Sequence, residues 1–542
     1  MIGPVPETTR QSEPVRTEEA AMRGMMMRKG LCFTVTLLVA VTLLAGVAQA
    51  QKKILVVALN QDPDILDPTL SRTYVGRIIY EHMCEKLYEI DENLRITPQL
   101  AADLPTFADG GKTVTIKLRP GVKFNDGTPM NAEAVRYSLD RHHNMKGSNR
   151  RSELEGLTTV EVVDPLTVRL RLKVPFSPIV AILADRAGMP VSPAQARKLD
   201  EKFGTAPVCV GPWAFVERVP QDRIVVEKSQ HYFDPGQARF DRIVFRIIPD
   251  DNVRLANLRS GDIDFMHLVA PTDAASLRKE GRFEVSSVTG LAYTGITINL
   301  RNKSGKTPQP PGDLGTPLAN DPRVREALDL SIDREALNQV AWDGQYTVGC
   351  TPISPLSPFY DKSRKCPGRD VARVKKLLAD AGLAGGYSFE MAIVNDPQQR
   401  RLGEVVQGMA KEAGINISLR PSEFASALND SDAGKHQAFL IGWSGRVDPD
   451  ANIHQFHTCT GSLNVTHACD EGIDALLNKA REVSDLSQRA ELYKQAIDKF
   501  AFGRRNVIYL YHANYIGAYP KNLKGYKAVP DGLIRIKGTS WN

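Results

Sequence analysis

Residues Met25 to Lys29 (MMMRK) give a short basic start, Leu31 to Val47 follows as a nearly unbroken apolar run, and Ala48-Gln49-Ala50 closes it as a small-x-small site. That order reads as a secretory signal peptide, with cleavage expected after Ala50. The alternative, a membrane anchor, is disfavoured because a run of about 17 residues sits at the lower edge of what spans a bilayer. Its flank also carries a cleavage site and no stop-transfer pattern. A lipoprotein needs a cysteine directly after the small residues, and Gln51 stands there. The polar residues before Met25 are read as a leader and left out of fold reasoning. Residues 1–50 are therefore expected to be removed, leaving 492 residues, Gln51 to Asn542.

A chain of that length exceeds what one hydrophobic core serves, so two or three domains are expected. With 42% hydrophobic and 24% charged residues its composition is that of a globular protein. The 69 basic and 63 acidic residues are interspersed. No basic run is dense enough for nucleic acid, and no second apolar stretch reaches the length of a membrane span. Export also frames the cysteines. Removing Cys32 leaves Cys84, Cys209, Cys350, Cys366, Cys459 and Cys469, an even number that points to disulfides. Cys350 with Cys366 and Cys459 with Cys469 are local pairs, each closing a short polar loop. Cys84 and Cys209 are left either to pair or to stay as buried thiols, and a fully reduced set is the alternative.

Hydrophobic periodicity alternates between strand and helix along the chain. Ile54 to Leu59 reads as a strand, and roughly Tyr74 to Leu87 as a helix. Lys112 to Leu118 reads as a half-buried strand, with Gly110-Gly111 and Asn125-Asp126-Gly127 as hairpin-type turns around it. Asn131 caps a helix carrying Val135 and Leu139. Glu161 to Lys173 and Asp241 to Pro249 read as strands. Later, Asp321-Pro322 opens a helix, and Asp370 to Ala381 is a helix ended by Gly382. A strand (Phe389 to Val394), a helix (Arg400 to Ala413) and a strand (Ile415 to Leu419) make a βαβ unit, which requires a parallel or mixed sheet. Asp470 to Lys479 and Ser487 to Phe500 are further helices. Lys303 to Asp313 (KSGKTPQPPGD), just after the strand Gly295 to Leu300, is the linker-like stretch and the expected domain boundary.

Several separated segments carry a family resemblance. They include Leu66-Asp67-Pro68, the run Leu118-Arg119-Pro120-Gly121-Val122-Lys123-Phe124-Asn125-Asp126-Gly127-Thr128-Pro129, and Gly211-Pro212-Trp213-Ala214-Phe215. Leu258 to Asp264 (LRSGDID), Asp321 to Ala327 (DPRVREA) and Gly442 to Asp450 (GWSGRVDPD) complete the set. With these the chain resembles the extracytoplasmic solute-binding proteins of ATP-driven (ABC) importers, family 5, the peptide, nickel and opine class. The resemblance implies an α/β, two-lobed periplasmic-binding-protein fold (type II-like) with an extra inserted subdomain and a ligand cleft between the lobes. It implies lobe I from 51–89, 206–300 and 512–542, the inserted subdomain at 90–205, and lobe II at 301–511. It further implies a periplasmic monomer, without cofactor, that closes on a small-molecule or peptide ligand by hinge motion and then docks on the permease subunits of the inner membrane.

The candidate ligand-binding residues follow from the same alignment. Trp443, after glycine at the end of the strand Ala438 to Ile441, offers a flat apolar wall and an N–H donor. In peptide-binding members, an acidic residue three positions after this tryptophan holds the ligand's free amine. Arg446 stands there instead, and its planar fork suits a carboxylate. The ligand is therefore expected to carry an acidic group: an opine, a modified peptide or an organic acid. A salt bridge from Arg446 to Asp448 or Asp450 is the structural alternative, and a shifted alignment gives the amine to Asp448. Arg186 is a candidate second carboxylate partner, with a plain surface arginine as the alternative, while Tyr74, Tyr293 and Ser444 are candidate further contacts, with rim or core positions as the alternative. His454, His457 and His467 lie near Cys459 and Cys469, but no third ligand has metal-site spacing. No metal is expected.

An enzyme is the competing class. Gly442-Trp443-Ser444-Gly445-Arg446 approximates a nucleophile elbow but ends in arginine where glycine is required. The sequence has no phosphate loop and no His-Glu-x-x-His. A conventional di- or oligopeptide receptor and a ligand sensor uncoupled from transport are the other readings.

Overall fold

The protein is described by a computed structural model over residues 53–542. The expected signal peptide, its cleavage point and the leader before it lie outside the described residues. No helix among the described residues is long and apolar enough to cross a membrane.

Three sheets organise the chain, each over its own core. The first has seven strands in the spatial order Phe283–Thr289, Asn514–Pro520, Phe265–Met266, Ile54–Leu59, Arg242–Ile247, Arg223–Lys228 and Trp213–Val219. Ile54–Leu59 lies in its middle, parallel to Arg242–Ile247 on one side and to Phe265–Met266 on the other. A central strand is buried on both faces, which is why Leu55, Val57, Ala58 and Leu59 are all inaccessible to solvent. The helix Tyr74–Met83 packs on it through Ile78 and Ile79, with Trp213 and Phe245 in the same cluster.

The second sheet has six strands, ordered Thr347–Val348, Val507–His512, Tyr293–Ile298, Ala438–Trp443, Tyr387–Val394 and Ile415–Ser422. The βαβ unit read from the sequence is here. Tyr387–Val394 runs parallel to Ile415–Ser422, and the helix Pro397–Glu412 covers them with Leu402, Val406 and Ala410. The third sheet is antiparallel, ordered Thr106–Ala108, Thr113–Lys117, Thr167–Leu172 and Leu157–Asp164. Its core of Val114, Ile116, Val135, Leu139 and Leu170 belongs to the segment expected as the inserted subdomain.

The chain passes between the first and second sheets twice, at neighbouring points. Phe283–Thr289 leads through Gly290, Leu291 and Ala292 into Tyr293–Ile298, and Val507–His512 leads through Ala513 into Asn514–Pro520. The Gly290 N–H donates to the Ala513 carbonyl at 3.0 Å, joining the crossings side by side. A Cβ on Gly290 would stand 2.6 Å from the Tyr515 ring and 2.8 Å from the Ala513 oxygen, so only glycine allows that approach. This pair of short connections is the covalent link between the first and second sheets.

Two sequence readings are corrected here. Glu161 to Lys173 is not one strand: it spans the turn of a hairpin between Leu157–Asp164 and Thr167–Leu172, turned at Pro165, with Asp164 accepting from the Leu166 N–H at 2.8 Å. Lys303 to Asp313 is a loop of the second lobe and not the crossing. It is tied there by the Lys306 N–H to the Asp432 carbonyl and the Gly312 N–H to the Arg301 carbonyl. The expected caps are made, with Asn131 and Asp321 accepting from the N–H groups of Ala134 and Arg323, and Asp370, read as the first residue of a helix, instead caps it by accepting from the Arg373 N–H. Cys350 bonds Cys366, Cys459 bonds Cys469, and Cys84 bonds Cys209.

Candidate functional site

Between the first and second lobes lies a cavity of about 160 Å³. Thr73 caps the helix Tyr74–Met83, its hydroxyl accepting from the Gly76 N–H, and this aims Arg72, Thr73 and Tyr74 at one side of the cavity. The opposite wall comes from the strand Ala438–Trp443, its partner strand Tyr293–Ile298, the helix Phe424–Asp432 and the loop after residue 458. Antiparallel register sets Tyr293 opposite Trp443 and Thr297 opposite Phe439. All four line the cavity, so it runs along the strand, and from Phe439 to Ser444 it spans roughly 16 Å at about 3.3 Å per residue.

The structure brings four of the named candidates to this cavity, Tyr74, Tyr293, Trp443 and Ser444. The Trp443 indole is fixed on three sides. Its N–H donates to Asn452 Oδ1 at 3.1 Å, Phe456 packs edge-on at 4.8 Å, and the Arg446 guanidinium lies over its ring at 4.6 Å. Trp443 thus serves as wall, with its N–H already engaged. Tyr74 donates to the Gly532 carbonyl, bonds His267 Nε2 at 3.1 Å and stacks on Tyr515. Burial pushes the His267 imidazole down to about 3, so it is neutral at physiological pH.

Arg446 lies just behind Ser444, buried, and its ion partner is neither Asp448 nor Asp450. It pairs with Asp185, from the segment at 90–205, across the cleft. Asp448 is held by Arg489 in a two-point contact at 2.8 and 2.9 Å, and Asp450 by Arg481 at 2.7 and 3.0 Å. These two pairs pin the loop after Trp443. Gly445 turns that loop with φ of 74°, and a Cβ there would meet the Leu291 carbonyl oxygen at 2.2 Å.

Asp185 is the centre of a buried cationic cluster. Arg77 Nε lies 3.2 Å from it and Arg186 Nε 3.7 Å, besides Arg446. Three guanidinium groups thus share one carboxylate. They hold the Asp185 carboxyl well below the usual carboxylate range, against the opposing effect of burial. Burial, with the neighbouring arginines, lowers Arg186 to about 9 and Arg446 to about 10, so both remain charged at neutral pH. Arg186 is fully buried. It donates to the Ser71 carbonyl at 2.8 Å, and its Nε and Nη2 have no hydrogen-bond partner. Arg186, Arg446 and Asp448 do not line the cavity themselves.

The cluster reaches the cavity through Ser444. Arg446 Nη1 donates to its hydroxyl oxygen at 3.1 Å and Arg77 Nη1 at 3.4 Å. Both lone pairs are then engaged, so what the hydroxyl presents to the cavity is its proton. Its backbone carbonyl accepts from Tyr515 at 2.9 Å. The three histidines near Cys459 and Cys469 are engaged separately. His454 bonds Asn478, His457 bonds Tyr509 and stacks on Phe500, and His467 donates to the Gly305 carbonyl. Among the described residues no group of His, Cys, Asp and Glu is placed to hold a metal ion.

Three comparisons bear on this site. A family model for bacterial extracellular solute-binding proteins, family 5 middle, matches residues 95–464. The glutathione-binding protein GsiB of Escherichia coli (strain K12) is 29% identical over 523 residues, covering 94% of this chain and 98% of its own length. Among solved structures, AgaA from A. tumefaciens R10 in complex with agropinic acid matches with a TM-score of 0.79 at 25% identity, over 90% of this chain and 99% of its own. DppA from Helicobacter pylori in complex with the peptide STSA matches with a TM-score of 0.81 at 21% identity, over 90% and 98%, and supports the fold alone.

Proposed function

The chain belongs to the bacterial extracellular solute-binding proteins, family 5, and from that premise we propose that it carries a small carboxylate-bearing ligand to an ABC-type importer by closing its two lobes. The family's members are receptors and not enzymes, and they work with importer permeases. The ligand chemistry is our reading. It is supported by one observation above the others: Ser444 lines the cavity with its hydroxyl oxygen engaged by two arginines. A hydroxyl polarised by two cations is a strong donor, and an oxyanion is the acceptor that gains most from it. The surplus of guanidinium groups around Asp185 adds long-range attraction of the same sign. Arg446 therefore acts behind Ser444 and not as a direct fork.

A ligand at a hundred times its dissociation constant adds about 2.7 kcal/mol, or about 2–3 °C in midpoint for a chain of this size. Small carboxylic acids, opines and glutathione, for which GsiB is named, are expected to give that shift in a thermal melt. Their amides are not. Ser444→Ala is expected to weaken acid binding about tenfold, the loss of one charge-assisted hydrogen bond. Equal shifts from acids and amides would favour a conventional peptide receptor.

Export completes the proposal. The mature protein is expected to begin at Gln51 in the periplasm, which N-terminal sequencing of the secreted form checks. Co-purification with a permease distinguishes transport from ligand sensing.

A further inference from the structure

Asn302, just beyond the Ile298 end of its strand, donates to the Ser431 and Asp432 carbonyls, which sets Asp432 toward the Ala438 end of the wall strand, whereas Ser444 follows its Trp443 end. The end away from Ser444 has charge chemistry of its own. Asp432, the last residue of the helix Phe424–Asp432, lines the cavity. It takes two cations: Arg72 from the first lobe through Nη1, and Lys306 at 3.1 Å. Arg72 also reaches Asn429 Oδ1 at 3.4 Å. The nearby Asp64 accepts from the Arg72 backbone N–H and from the Ser71 and Thr73 hydroxyls, so it braces that turn instead of neutralising the guanidinium. Burial and the closeness of Arg72 lower the Lys306 ammonium despite Asp432. Two cations thus compete for one carboxylate.

The space between the ends is apolar. Phe424, Leu428, Phe439, Ile441, Phe456 and Val465 form most of its walls. A carboxylate resting there would lose its hydration without gaining partners. Acidic groups are therefore favoured at the ends and disfavoured in the middle, and the strand that walls the space between them runs roughly 16 Å from Phe439 to Ser444.

Resting on the carboxylate reading of Ser444, we propose that the ligand is an elongated diacid with an apolar middle. One carboxylate meets the Ser444 hydroxyl, and the second meets Arg72 at a separate anion subsite, with Lys306, which does not line the cavity, adding its charge from behind Asp432. The second carboxylate draws on the cations that Asp432 shares, and because Arg72 and Lys306 come from opposite lobes, its binding also draws the lobes together.

The test is calorimetric titration of the purified protein with octanedioate, decanedioate, the monoamide of each, and glutathione. The wild type is compared with Arg72→Gln, Lys306→Gln and Asp432→Asn. Wild type is expected to bind octanedioate or decanedioate on the order of tenfold or more tighter than the corresponding monoamide, the worth of one charge-assisted contact. Arg72→Gln should bring that ratio close to one, and Lys306→Gln, at a partly exposed position, should reduce it. Asp432→Asn should keep or raise the ratio, since it frees both cations. Equal affinity for diacid and monoamide in wild type overturns the second subsite and leaves the Ser444 reading standing. So does an Asp432→Asn protein that weakens both equally, because Arg72 and Asp432 would then be only a latch between lobes. Failure of every acid, single or double, removes the Ser444 reading and this inference with it.

Discussion

An Asp185→Asn protein is expected to lose about 3–5 kcal/mol of stability, the cost of leaving buried charges without their counter-ion. Arg77, Arg186 and Arg446 are 2%, 0% and 8% exposed, so water cannot take over from the lost carboxylate. Asparagine keeps the side chain's size and its cap on the Arg186 N–H, which isolates charge as the cause. The effect has a pH signature. A free aspartate titrates near 3.9, and the native carboxyl is held well below its ordinary value. With a lowered native pKa, the contribution is complete above the unfolded value and declines as pH falls from there toward the native one. The gap between wild type and Asp185→Asn in urea unfolding should thus be full at pH 7 and narrow below about pH 4. A gap under 1 kcal/mol at pH 7, or one that does not change with pH, would mean that the arginines find other partners. Ligand affinity should fall as well, since Asp185 and Arg446 meet across the cleft.

How far the sequence reaches depends on whether a feature is local. Caps at Asn131 and Asp321 are local, each decided by a side chain and an N–H two or three residues on, and the structure makes both. The βαβ unit was legible for the same reason: periodicity switches from two to 3.6 and back within one stretch. The hairpin at Pro165 was hidden because alternation continues on both sides of a very short turn. The lobe crossing at Gly290 to Ala292 was hidden because it has the composition of a strand. The signal there is a single glycine whose need appears only once Tyr515 and Ala513 are packed against it. The proline-rich stretch after Lys303 looked like a linker but is hydrogen-bonded into the second lobe. At the site, Arg446 was visible as a charge reversal in a recognisable run. Its partner was not, since the nearest carboxylates in sequence, Asp448 and Asp450, are taken by Arg489 and Arg481. Arg72, Arg77 and Asp432 went unnoticed because only tertiary structure brings them to the cleft.

Removing the Cys84–Cys209 disulfide with Cys84→Ala/Cys209→Ala is expected to cost about 5 kcal/mol, against about 3 kcal/mol for either of the other two. The reason lies in the unfolded chain. This bridge joins residues 125 apart, whereas the others join residues 16 and 10 apart, and the conformational freedom denied to the unfolded state grows with the enclosed loop. The native geometry around it is held by other means. The Glu85 N–H donates to the Val210 carbonyl, and a Cβ on Gly211 would stand 2.3 Å from the Met83 backbone, so the two segments stay closely packed without the sulfurs. Neither cysteine lines the cavity, and ligand affinity should therefore be unchanged within about twofold. Cys459→Ala/Cys469→Ala should show the reverse pattern. That bridge closes the loop presenting Leu463, Val465 and Thr466 to the cavity. Its loss should cost less stability and yet weaken binding, because ligand must then order the loop as it binds. Urea midpoints and calorimetric affinities for the two double variants check both halves. Equal stability losses would show that the two bridges act on native packing instead of on the unfolded chain.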